Sequence, residues 1–246
     1  PGFRRVAGVE IVPPSVLINT VAAAASECGA AGIEDIRFDS PLTMDKPRLV
    51  QVFNDGATLT ISSAADTDPD EQHWVRHVTA RIAARPAADE VEPAAGSVPD
   101  ADPSSIEELH GDWGIEGHAF EWSVDSHEAA PGRLRTDIVL ADSLLGDSRA
   151  PSTVALIDAA MDIAQLVVAA DAGLTIPIAA DRIAFNNIQA PGQTRGVVDV
   201  RRRGGDEELI VDVTVRGADA DTYLDVRGLR YRVVESAAAL APAADP

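Results

Sequence analysis

Two stretches of this 246-residue chain are apolar on nearly every helical face, and each is framed by the same punctuation. The first opens with Pro14-Ser15-Val16-Leu17-Ile18-Asn19, continues as an Ala-rich run and stops at Gly29. The second opens with Pro151-Ser152-Thr153-Val154-Ala155-Leu156-Ile157-Asp158 and stops at Gly173. Proline near the start gives up only a donor that a first helical turn leaves unpaired, and glycine past the end takes the closing conformation without steric penalty. A helix with no polar side needs cover on every side. The sequence therefore predicts two buried helices, each wrapped by a strongly curved sheet.

Strands follow each helix in the same order. Ile36-Arg37-Phe38-Asp39-Ser40 comes after the first, and Ile183-Ala184-Phe185-Asn186-Asn187 after the second. Alternating runs then occupy residues 49–53, 57–62 and 74–82 in the first half and 196–201, 208–215 and 223–234 in the second. The expected class is α+β, in two similar halves. Residues 86–106 are rich in Pro, Ala and acids with no apolar period, and read as a linker between a first unit, 1–85, and a second, 107–235. Residues 236–246 have the same character, and both ends look cut from a longer polypeptide.

Charge narrows the partners. Lys and Arg number 20 against 40 Asp and Glu, a net charge of −20 that repels nucleic acid and anionic membrane surfaces. The single cysteine, Cys28, excludes an internal disulfide, and there is neither a secretory apolar region nor a run of membrane-spanning length, so the cytoplasm is the expected compartment. Cys28 itself reads as a small buried residue at a helix end.

From residue 4 to 234 the chain resembles the dehydratase domains of modular polyketide synthases. The resemblance is carried by Arg5-Val6-Ala7-Gly8-Val9-Glu10-Ile11-Val12-Pro13, Ile33-Glu34-Asp35-Ile36-Arg37-Phe38-Asp39-Ser40-Pro41-Leu42, Trp74-Val75-Arg76-His77, Leu156-Ile157-Asp158-Ala159-Ala160-Met161 and Leu224-Asp225-Val226-Arg227-Gly228-Leu229-Arg230. It implies a double hotdog, two tandem folds in which a curved antiparallel sheet wraps a helix. It also implies a substrate carried on the phosphopantetheine arm of an acyl carrier protein, no cofactor of the domain's own, neighbouring synthase domains as partners, and pairing of two copies through the parent synthase. In that family a histidine removes the α-proton of a β-hydroxyacyl thioester and an aspartate helps the hydroxyl leave, which suits an imidazole with a near-neutral pKa and a desolvated carboxyl.

This sequence departs from that pattern. Gly8 and Pro13 keep the spacing of the first motif, yet the histidine position holds Arg4, whose guanidinium cannot act as a base. Asp158 keeps the aspartate position, and Asp162 stands one helical turn on, where the family has Gln or His. Gly117-His118-Ala119-Phe120-Glu121-Trp122 replaces a Tyr- and Gly-Pro-containing segment, which leaves His118 as a substitute base. The resemblance leaves three readings: assisting conjugate addition (branching or heteroatom addition) to an α,β-unsaturated chain, serving as a catalytically silent structural or docking domain, or dehydrating with His118. Asn19, at the repeat position of Asp158, caps the helix or faces substrate. His73 and His77 share a strand face without a third metal ligand, and His110 and His127 fall in loop-like stretches. Gly204-Gly205 reads as a hairpin turn, and Arg201-Arg202-Arg203 as either a carrier docking patch or a solvated strand end.

Overall fold

The computed structural model describes residues 4–66, 73–83, 106–141, 152–169, 173–185, 195–203, 209–217 and 222–234. Helix α1 spans Pro14–Glu27, with Pro at its first position. It ends in a glycine-closed turn in which Gly29, at φ 78°, donates to the Ser26 carbonyl (2.9 Å) and Ala30 to the Ala25 carbonyl (3.1 Å). Strands β3 (Gly32–Phe38), β4 (Arg48–Asn54), β5 (Thr58–Ala65) and β6 (Val75–Ala83) follow. Helix α3 (Ser152–Ala169) is preceded by β8 (Trp122–Ala130) and β9 (Arg133–Leu140) and followed by β10 (Thr175–Phe185), β11 (Arg195–Arg203), β12 (Ile210–Gly217) and β13 (Thr222–Val233).

These strands form one ten-stranded antiparallel sheet in the order β4-β5-β6-β3-β10-β13-β12-β11-β9-β8. The halves join where β3 pairs with β10, with Ile33 opposite Ile183 and Ile36 opposite Ala180. The two helices lie against each other and against this sheet, as two hotdogs sharing a seam. The expected strands are present, but β10 starts eight residues before Ile183. β8 and β9 were not anticipated.

Coverage of the two helices is unequal, contrary to the expectation that both are buried all round. In α3, residues 153–168 are all buried. In α1 only Ser15, Leu17, Ile18, Val21, Ala22 and Ala25 are, because four strands wrap the first half and β4 lies at the sheet edge, exposed over most of its length. Cys28, expected to be buried, is exposed: it caps α1 where the helix has left its covered face.

A second, three-stranded sheet carries the start of the chain. β1 (Arg4–Val6) and β2 (Val9–Ile11) form a hairpin, and β1 also pairs with β7 (Ile115–Glu116) of the second half. Ala7 (φ 50°) and Gly8 (φ 79°) make its two-residue turn, the left-handed pair that matches strand twist. Helix α2 (Ile106–Asp112) precedes β7. It begins at the last residue assigned to the linker; 86–105, the terminal 236–246 and Gly204-Gly205 lie outside the described residues. Among the described residues no helix is long and apolar enough to cross a membrane.

Candidate active site

The β1–β2 hairpin lays Arg4 over the middle of α3. Its guanidinium grips Asp162 with both amino groups, Nη1 to Oδ1 and Nη2 to Oδ2, each at 2.7 Å, and reaches Asp158 Oδ2 at 3.4 Å. Asp158 and Asp162 share a helical face as their spacing requires, and Ser15 of α1 donates from Oγ to Asp158 Oδ1 at 2.7 Å. All three charged residues are buried: Arg4 is 6% exposed, Asp158 1% and Asp162 1%. Asp158, Asp162 and Arg4 thus meet as one cluster.

Taken as ionised, the cluster holds one cation and two carboxylates, a net negative charge away from water. Such a charge is costly unless a proton neutralises it. Burial pushes the Asp158 carboxyl up to about 6, opposed by Arg4 and the Ser15 hydrogen bond and reinforced by Asp162. Burial pulls the Arg4 guanidinium down, but Asp162 and Asp158 together outweigh it and hold Arg4 above its ordinary value. Arg4 remains a fixed cation. Its Nε–H has no partner among the described residues, a donor free for an incoming oxygen.

A cavity of about 50 Å³ adjoins the cluster, lined by Arg4, Asp162, Gln165, Ile115 and Tyr231 among others. Gln165 donates to the Thr175 carbonyl (2.9 Å) and the Tyr231 hydroxyl to the Met161 carbonyl (3.3 Å), so both side chains are tied to backbone. Burial, with Asp162 nearby, keeps the Tyr231 phenol protonated well beyond its ordinary range.

The other sequence candidates scatter. His118 is half-exposed, 3.7 Å from Glu107 Oε1, beside a cleft of about 520 Å³ lined by Ile106, Glu107, Glu121, Trp122, Ser123 and Val124. It lies outside the Arg4 cluster. His110 lies not in a loop but on α2, buried, with Nε2 3.9 Å from Asp162 Oδ1; it is the residue that sequence reasoning missed. Its ring lies 6.3 Å from that of His118. His127, also expected in a loop, is exposed on β8.

His77 is buried between Ser63 Oγ (2.7 Å) and the Ser40 carbonyl (3.0 Å), while His73 is exposed ahead of β6, so they do not share a strand face. Among the described residues no group of three or more His, Cys, Asp or Glu is placed to hold a metal ion. Asn19 is partly buried mid-helix with its Oδ1 unpartnered, which excludes the capping role. The three arginines 201–203 alternate across β11: Arg202 turns inward, while Arg201 pairs with Asp199 (3.4 Å) and Arg203 with Asp212 (3.6 Å). They do not form one basic face.

Known proteins resemble this chain along nearly all its length. Residues 86–241 match the family model described as the polyketide synthase dehydratase N-terminal domain. A phenolphthiocerol/phthiocerol polyketide synthase of Mycobacterium tuberculosis (strain ATCC 25618 / H37Rv) is 31% identical over 243 residues, 95% of this chain. The chain spans 13% of that relative's length. Among solved structures, a fusion DH domain superposes with a TM-score of 0.71 at 24% identity, covering 96% of this chain and 84% of the other. An inactive histidine-to-phenylalanine mutant of the CurK dehydratase superposes with a TM-score of 0.70 at 15% identity, covering 94% and 86%.

Proposed function

Because this chain belongs to the family of polyketide synthase dehydratase domains, we propose that it works on an acyl thioester held by an acyl carrier protein but does not dehydrate it. The observation that carries this reading is the two-armed ion pair of Arg4 with Asp162. Where the family's histidine would stand is a permanent cation, unable to take an α-proton.

What the cluster can supply is a positive charge and a proton. In addition to an α,β-unsaturated thioester, a nucleophile bonds to the β-carbon and the π electrons move toward the carbonyl oxygen. That developing charge is what a fixed donor such as the Arg4 Nε–H stabilises. The α-carbon then takes a proton from the Asp158 carboxyl, which burial keeps protonated closer to neutrality than an ordinary aspartate. The nucleophile releases its own proton to solvent, from which the Asp158 carboxylate is reloaded, so the count balances. The small size of the adjoining cavity favours a second reading, in which the cluster is a closed ionic strut and the domain is catalytically silent.

The test is incubation with carrier-bound β-hydroxyacyl and enoyl chains, read by mass spectrometry of the carrier. The β-hydroxyacyl chain is expected to lose no water above background, and the enoyl chain to gain the nucleophile's mass. Asp158→Asn should reduce that gain by about a hundredfold or more, the scale of general acid catalysis. Robust water loss would overturn the proposal; no gain of mass leaves the silent reading.

A further inference from the structure

A proton donor must be reloaded after each turnover, and Arg4, Ser15 and the α3 backbone that surround the carboxylates offer no group that both gives and takes a proton readily. An imidazole does, and His110 stands beside them. It is 3% exposed, and neither ring nitrogen has a hydrogen-bond partner among the described residues. Buried polar atoms are normally satisfied, so an imidazole left with two open nitrogens is held where a mobile proton or transient partner completes it. Nε2 faces Asp162 Oδ1 at 3.9 Å, too long for a hydrogen bond and short enough to close with a small side-chain movement. The His118 ring is 6.3 Å away, and His118 Nε2 lies 3.7 Å from Glu107 Oε1 at the 520 Å³ cleft.

We infer that His110 is the group through which the buried cluster exchanges its proton, passing it between Asp162 and the cleft at His118. Reloading is balanced: the neutral ring, carrying its proton on Nε2, first takes one at Nδ1 from the cleft side, the imidazolium then gives its Nε2 proton to the carboxylate pair, and exchange of the remaining proton with solvent restores the starting tautomer. Burial holds the imidazole below its ordinary value, aided by Arg4 of β1 and by His118, and opposed by Asp162 of α3 and Glu107 of its own helix. The resting ring is therefore neutral and ready to accept. Trp113, its ring 6.2 Å away, brings no charge. His110 acts through the carboxylates, and so is a positioning and relay residue for the proposed addition, on which its purpose rests.

Two measurements separate this inference from that reading. In the intact chain labelled at histidine nitrogens, the His110 midpoint followed by NMR should lie below the ordinary imidazole value. It should fall further, by about one pH unit, in Asp162→Asn, because an attracting carboxylate is lost. An unmoved midpoint overturns the relay. In the carrier assay, His110→Ala should lower turnover by about tenfold or more with KM unchanged, and added imidazole should restore it; unchanged turnover, or loss that imidazole does not repair, overturns it. If the wild-type chain forms no adduct, the proposed addition falls, and the NMR result alone decides whether His110 and Asp162 are coupled. An adduct without coupling leaves the addition standing and removes the relay.

Discussion

Helices α1 and α3 occupy equivalent places in the two halves, yet one is half-covered and has an Ala-rich second half, and the other is enclosed and carries two acids. With Asn19 set against Asp158, Ala23 falls on Asp162 and Ala24 on Ile163. Ile163 is fully buried, whereas Ala24 is partly exposed. Among the described residues, six strands lie on the α3 side of the β3–β10 seam and four on the α1 side. The difference teaches that the enclosed helix can hold ionisable groups away from water, where burial and neighbours decide their protonation, while the open helix supplies a hydroxyl, Ser15, from its one covered face.

The strongest way to break this asymmetry is to remove the cation that only the enclosed helix has. Arg4→Ala leaves two buried carboxylates uncompensated and is expected to destabilise the fold by about 3–5 kcal/mol in chemical denaturation. A variant that also carries Asp158→Asn and Asp162→Asn should recover much of the loss; no recovery would mean that Arg4 acts through packing. Next, exchanging the aligned residues sharpens the comparison. Ile163→Ala should cost about 2–5 kcal/mol through the cavity it opens, whereas Ala24→Ile, beside solvent, should change stability by less than about 1 kcal/mol. Equal effects would show the two environments to be alike.

The smallest effect is one of pH. The folded-state pKa of Asp158 lies above its unfolded value, so ionisation is penalised in the fold, and stability falls as pH rises from the ordinary carboxylate range through about 6. Asp158→Asn, which gives α3 the residue that α1 has, should lose that part of the slope. Comparing denaturation midpoints of the two proteins on either side of that window measures it, and parallel profiles would place the shared proton elsewhere.

Much of this was legible in the residues. Proline and glycine marked both helix ends, period-two runs marked eight strands, and the four-residue spacing put Asp158 and Asp162 on one face. The unequal covering was not legible, because apolarity of α1 states what it tolerates and not how many strands reach it. β9 carried a usable alternation in Leu134, Thr136, Ile138 and Leu140, all buried. β8, mostly exposed and rich in Ser, His, Asp and Glu, had none. His110 was hidden for a related reason: a seven-residue helix beside a Pro- and Ala-rich stretch is too short for a periodic signal, and its partner Asp162 is remote in sequence.

The Arg4–Asp162 pair spans a sequence separation of 158 residues. Closing a loop of that length costs about 4.5 kcal/mol of chain entropy before the contact returns anything, and long-range contacts of this kind slow folding. With the seam between β3 and β10 formed, the halves already lie together and the hairpin bearing Arg4 has most of that loop already closed. Weakening this clasp would mainly speed the opening of the native chain and leave its rate of assembly little changed, so the ionic cluster acts as a latch on the lifetime of the folded state.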